Sequence, residues 1–170
     1  MLRRFRCARG LMFWAPLAVG LVASPLAAQP QLHPRGLNPV VEAAALEAYR
    51  RLGDPACQEI FSEFRDATNR ELRDRLDEIG QTGQSYLGWI WFVDDGTNGL
   101  CDRSEIMAFT TPGSQVVYFC GDRFTRSVTR RGLGFLASVV IHEELHSLGL
   151  TENPPSSEEI TRRVEARCGP

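Results

Sequence analysis

The sequence has 170 residues, 24% of them charged and 43% hydrophobic, and carries a formal net charge of −2. That balance excludes a disordered chain and a multi-span membrane protein. All 19 basic residues are arginines, and loss of Arg3, Arg4, Arg6 and Arg9 with an N-terminal leader would move the charge to −6, which argues against nucleic acid or an anionic membrane as partner.

Residues 1–28 have the three parts of a secretory signal: a basic stretch to Arg9, an apolar run from Leu11 to Ala23, and the small-residue ending Ser24-Pro25-Leu26-Ala27-Ala28. The apolar run is shorter than the roughly 20 residues of a spanning helix. The expectation is cleavage near Ala28, a secreted or periplasmic product and no stable membrane anchoring afterwards. Residues 29–37 read as an irregular lead-in, and residues 38–170 as a single domain, long enough to bury about two-thirds of its unfolded surface.

Asn38 can cap a helix that has Pro39 at its first position and Gly53 as its stop. Asp54-Pro55 repeats the start signal, and Ile60, Phe61, Phe64, Leu72, Leu76 and Ile79 recur near helical period, which predicts a second helix ending at Gly80. The charged residues between them read as its solvated face. From Trp89 to Val93, Ile106 to Thr110 and Val116 to Cys120 the residues favour strands. Pro112-Gly113 makes the last two a hairpin. Trp89 and Trp91 alternate with Ile90 and Phe92 as in a strand covered on both faces, so core packing is their expected role, with a sugar or peptide platform as the second reading. Asp94, Asn98, Gly99, Asp102 and Glu105 fall on positions 1, 5, 6, 9 and 12 of an EF-hand-like calcium loop, although Gly96 occupies one ligand position and a polar hairpin turn accounts for the same residues.

Cys7 departs with the leader. Cys57, Cys101, Cys120 and Cys168 remain for an oxidising compartment, and four cysteines allow three connectivities. The preferred pairing is Cys101–Cys120, which closes a local strand region, with Cys57–Cys168. A broad apolar face from Leu133 to Leu148 predicts a helix capped at Gly149, and Ser156 with Glu159 has capping-box spacing for a last helix to about Cys168.

His142-Glu143-Glu144-Leu145-His146 lies inside the Leu133–Leu148 helix. Residues i and i+4 share one helical face, so both imidazoles can converge on one Zn²⁺. Glu143 then lies beside the open coordination position, where it can serve as general base toward a zinc-bound water. Glu144 is expected to face solvent. A catalytic zinc needs a third protein ligand. The chain continues Ser147-Leu148-Gly149-Leu150-Thr151-Glu152.

His142, Glu143, His146 and Gly149 resemble the H-E-x-x-H-x-x-G-x-x-H motif of metzincin metalloproteases, with Glu152 in place of the last His and no Met-turn after it. The resemblance covers about a dozen residues and points to a minimal zincin. It implies an α+β fold of N-terminal helices, a small, mainly antiparallel sheet, an active-site helix and a short C-terminal helix. Glu152 is the favoured third ligand. Glu165 or Glu159, on the following helix as in the gluzincin pattern, is the alternative, and Glu158 lies beside them. In zincins the strand before the active helix runs along a sheet edge and pairs with substrate, which assigns Val116, Val117, Tyr118 and Phe119 that role. Tyr118 is also a candidate oxyanion donor, with packing as the simpler reading. The expected function is therefore an exported zinc peptidase acting on peptide or protein substrates. The alternative is a non-catalytic exported binding module with a zincin-like fold.

Overall fold

The computed structural model describes residues 37–169. The leader, its cleavage point and most of the lead-in lie outside them. Seven helical segments and three short strands follow in the order α1 (Pro39–Arg51), α2 (Pro55–Gln58), α3 (Ile60–Glu63), α4 (Leu72–Glu78), α5 (Gly83–Leu87), β1 (Trp91–Asp94), β2 (Ala108–Phe109), β3 (Val116–Phe119), α6 (Gly121–Ser147) and α7 (Ser157–Cys168). The mixed α+β class agrees with the sequence.

Helix α1 starts as its sequence requires, with the Asn38 side chain accepting from Val40 N and Pro39 at the first position. Its buried face is mostly alanine: Val41, Ala44, Ala45 and Ala48. Small side chains let its backbone lie close along α6, its main packing partner. Buried Arg51 links three helices. It donates from Nε to Glu47 (2.9 Å) and from Nη1 to the carbonyls of Gly134 (3.1 Å) and Gly169.

The expected helix from Asp54 to Gly80 is instead three helices interrupted by a turn. Phe64 is extended (φ −123°, ψ 155°). The Asp66 carboxylate then accepts from Thr68 N (2.8 Å), the Thr68 hydroxyl (2.6 Å) and Arg70 N (3.1 Å). This side-chain capture of backbone amides competes with helix, and Asn69 completes the turn at φ 66°. The apolar period survives the break because Phe64 and Leu72 both reach the same core. The turn also has a tertiary role, since Asp66 forms an isolated antiparallel bridge with Leu150.

The sheet order is β1-β3-β2. β1 pairs with β3 in parallel, Trp91 opposite Val116, and β2 pairs with β3 antiparallel, Ala108 opposite Phe119. The hairpin of β2 and β3 forms as expected, but the sheet is mixed rather than mainly antiparallel, and β1 lies at an edge. One face of β1 reaches the core through Phe92. The other carries Trp91 and Val93 to the surface, as the turn before the strand does Trp89, the two tryptophans being 45% (Trp89) and 61% (Trp91) exposed. Their expected core role is therefore wrong, because helices cover one face of this strand and not both.

Both disulfides take the preferred pairing, Cys57–Cys168 and Cys101–Cys120. The first fastens α7 to α2, and the second ties the 3₁₀ turn Gly99–Asp102 to the residue that opens α6. Asp94 does not serve a calcium loop. Its Oδ1 accepts from Gly121 N (3.1 Å), and a Cβ at position 121 would come within 2.3 Å of its Oδ2, so the start of α6 requires glycine there. Asn98 caps the 3₁₀ turn and donates to Asp95 (3.2 Å), which consumes further residues of the presumed loop.

The Asp66 turn yields an acid-stability prediction. The Thr68 hydroxyl, with the amides of Arg70 and Thr68, holds the Asp66 carboxyl at about 2. A folded-state value below the unfolded one stabilises the protein above about pH 4, and that stability is lost as pH falls toward 2. Asp66→Ala should lower stability at pH 7 by about 1–2 kcal/mol and flatten the loss between pH 4 and 2, as measured by urea unfolding at each pH.

Candidate metal centre

The site is built on the second half of α6. Gly132 interrupts that helix at φ 78°, ψ 166°, so Arg131 and the arginine-rich first half are offset from the segment that follows. From Phe135 to Ser147 every residue is buried. This segment is enclosed by α1 and the core on one side and by the walls of a cleft on the other.

His142 and His146 point into that cleft with their Nε2 atoms 2.9 Å apart. Glu152 Oε1 lies 3.6 Å from His142 Nε2 and 3.3 Å from His146 Nε2. Three atoms bound to one tetrahedral ion at 2.0–2.1 Å lie about 3.3 Å from each other, which matches this triangle. Among the described residues, His142, His146 and Glu152 form the one group of three or more such side chains able to hold a metal ion.

The helix terminus explains why Glu152 can reach. Gly149 N donates to His146 O (2.8 Å) and Leu150 N to Leu145 O (3.1 Å), the paired bonds of a Schellman reversal. Gly149 has φ 110°, and a Cβ there would press on Asp66 Cβ at 3.3 Å. The chain doubles back under the helix, and Leu150 O accepts from His146 Nδ1 (2.8 Å). A carbonyl only accepts, so Nδ1 carries the proton and Nε2 presents its lone pair to the metal position.

His142 is oriented from elsewhere, by Thr161 Oγ1 of α7, 2.9 Å from its Nδ1. Burial holds the His142 ring below its ordinary pKa, which favours the neutral ligand form. Glu152 is held below the carboxylate range, first by His142 and further by His146. Both ligand types are thus biased toward the protonation state that a cation needs.

Glu143 is 5% exposed, and its Oε2 has no hydrogen-bond partner. Burial, with the Glu152 charge adding, pushes its carboxyl up to about 8. A cation held by the three ligands would oppose both causes. The structure contradicts the expected solvent-facing position of Glu144. That side chain is 0% exposed, neither carboxyl oxygen has a partner, and burial raises its pKa well above the ordinary value. On a helix surrounded by α1, the core and the cleft walls, position 144 has no outward direction to take.

The cleft has a volume of about 920 Å³ and is lined by Ile106 to Thr110 on one side and by Ser157, Thr161 and Glu165 of α7 on the other. Glu158 and Glu165 line it without joining the metal group, and Glu159 is occupied by Arg163. The residues assigned to substrate pairing, Val116, Val117, Tyr118 and Phe119, do not line it. β3 is the central strand, with β1 and β2 on its two sides, and Tyr118 stacks on Phe109 (centroids 5.2 Å apart). The edge strand along the cleft is β2. Glu105 also lines the cleft and interacts with Ser104 rather than joining the Asp94 region.

Thr161 and the Leu150 carbonyl went unread in the sequence. The glycine turn foreshadowed the latter, but nothing near Thr161 in the chain marks it, because its role arises from α7 crossing α6. The chain matches no protein-family model, no curated protein and no solved structure, so the local geometry is the basis for any assignment of function.

Two substitutions test the centre. Thr161→Val removes the partner of His142 Nδ1 and should weaken the binding of an added divalent cation by about 10- to 100-fold, measured by competition with a chelating indicator. Glu144→Leu replaces an unpartnered buried carboxyl with a hydrocarbon of similar size. It should raise stability by about 1–3 kcal/mol, read from urea midpoints.

Proposed function

We propose that the protein is an exported zinc peptidase of minimal zincin type. The observation that carries this reading is the convergence of two imidazole Nε2 atoms and the Glu152 carboxylate beside a buried, unpartnered Glu143 at the floor of an open cleft. Two nitrogens and one carboxylate oxygen form a known catalytic zinc set. The same donors also suit non-haem iron, but oxygen chemistry leaves a buried carboxyl at the residue after the first histidine without a task, whereas hydrolysis uses it.

His142, His146 and Glu152 would hold the zinc, which when bound would supply a Lewis acid and a water of pKa lowered toward neutrality. Glu143 then has two successive duties. As a carboxylate it takes a proton from the attacking water as the new C–O bond forms, and it delivers that proton to the amine nitrogen as the C–N bond breaks. Its buried position keeps the proton from bulk solvent between the two steps. His146 is held in register by Leu150 O and His142 by Thr161, so neither ring is free to rotate away from the reacting group.

The substrate strand reassigned here is β2. Its inner side bonds to β3, and its outer side belongs to the cleft, where an extended peptide can add to the sheet by main-chain hydrogen bonds. Export is supported by the leader-like residues 1–28 and by two disulfides suited to an oxidising compartment. Among the described residues no helix is long and apolar enough to cross a membrane.

The decisive experiment pairs Glu143→Gln with metal analysis. The wild-type protein should hold one zinc per chain, cleave peptides from a broad library and lose activity on chelation. Glu143→Gln should retain the zinc and lose activity by at least about 100-fold. A zinc-loaded wild type that cleaves no peptide would favour the non-catalytic binding module instead.

A further inference from the structure

The cleft extends well beyond the metal position, and its far end differs in chemistry. Phe135, Val139, His142 and His146 follow at helical intervals and form one stripe along the cleft floor, and Arg131, on the other side of the Gly132 break, joins its end by stacking on Phe135. β2 runs beside this stripe in the same sense. Arg123, near the start of α6, donates to the Ile106 carbonyl (2.6 Å), and Gly113 N donates to His146 O (2.9 Å) at its end. α7 returns antiparallel, with Thr161 at His142 and Gly169 near Gly134 through their shared partner Arg51.

At the end away from the histidines stand two arginines, Arg131 and Arg103. The Arg131 guanidinium lies over the Phe135 ring at 3.2 Å from its centroid, and among the described residues no carboxylate lies within ion-pair distance of either arginine. Stacking fixes the plane of the guanidinium while leaving its N–H fork able to receive a planar carboxylate. Arg103 also lines the cleft, and its main chain sits near the start of α6, where its carbonyl accepts from Arg123. Glu105 is the carboxylate on that wall and interacts with Ser104. Between the two ends Val139 and Phe135 give the floor an apolar lining, while the α7 wall carries both Arg162 and Glu165.

We infer that Arg131, aided by Arg103, is a specificity-determining residue that selects peptides carrying a carboxylate several residues from the cleaved bond. This rests on the peptidase reading and adds the substrate class to it. The span from His142 to Phe135 is roughly 10 Å along the helix, and Arg131 stacks on that ring, so an extended peptide reaches the guanidinium in about three to five residues. Positions nearer the bond meet Val139 on the floor and the opposite charges of Glu165 and Arg162 on α7, so an apolar residue is favoured there and no net preference for acid is expected. The carboxylate can belong to an Asp or Glu side chain or to the peptide C-terminus.

The test uses the zinc-loaded full-length mature protein and quenched-fluorescence dodecapeptides. Each carries Glu or Gln at one position, from the first to the sixth on either side of the cleaved bond, with a free or an amidated C-terminus. The expected result is a preference for Glu over Gln of about five- to tenfold in kcat/KM, confined to positions three to five on one side and weakened by added salt. Arg131→Gln should bring that ratio close to one, and Arg131→Glu should create a preference for Lys at the same position, a gain that misfolding cannot mimic. If the preference instead follows the free C-terminus and vanishes on amidation, the carboxylate is the terminal one. Cleavage with no positional preference for acid, or with a preference that survives both Arg131 variants, overturns the inference and leaves the peptidase reading standing. Failure of the wild type to cleave any peptide overturns both.

Discussion

The reversal at Gly149 governs the centre. A helix that carried on past His146 would take Glu152 along the axis, away from the imidazoles. The Schellman bonds from Gly149 and Leu150 instead turn the chain under the last turn, and three consequences share one cause. Leu150 O meets His146 Nδ1, Leu150 bridges to Asp66, and Glu152 comes within 3.3–3.6 Å of both Nε2 atoms. The positive φ required there admits glycine readily and other residues only with strain.

Around that turn the molecule supplies support from three directions. The Asp66 turn braces it from below, and the same carboxylate that breaks the expected long helix makes this possible. α7 approaches from the side, carries Thr161 to His142, and is itself fixed by Cys57–Cys168 and by the Arg51 contacts near its end. α1 lies along the back of α6 with its alanine face, so the metal helix is enclosed on every side except the cleft. That enclosure gives Glu143 and Glu144 their raised pKa values through the same desolvation. Only Glu143 lines the cleft beside the group of His142, His146 and Glu152. Glu144 has the burial without a visible partner, and nothing in the structure explains why a carboxyl occupies that position.

The cleft shows how a short sheet serves such a centre. β3 is used up by pairing on both sides, so the free hydrogen-bonding edge passes to the two-residue strand β2. Shortness suits this arrangement, because an edge of two residues offers little to unwanted strand partners. The opposite edge strand, β1, exposes Trp91 and Val93, and the turn before it Trp89, away from the cleft.

Much of this was written locally in the chain. The Asn38-Pro39, Asp54-Pro55 and Ser156 caps, the Pro112-Gly113 hairpin, the Gly149 stop and the His142–His146 spacing each depend on residues within a turn or two of each other, and each formed as read. Glu152 belongs with them, since its reach depends on the adjacent glycine turn. What sequence reading missed depends on neighbours distant in the chain. Trp89 and Trp91 looked internal because alternation cannot tell which face of a strand is covered. Val116 to Phe119 looked like an edge because strand order is not encoded in strand composition. Glu144 looked exposed because the wall opposite it comes from elsewhere in the chain, and Thr161 was invisible because its partner lies 19 residues away across a helix crossing. Local hydrogen bonding determined the caps, turns and ligand spacing. Burial and lateral order, which require the whole chain to be packed, were decided only by the tertiary structure.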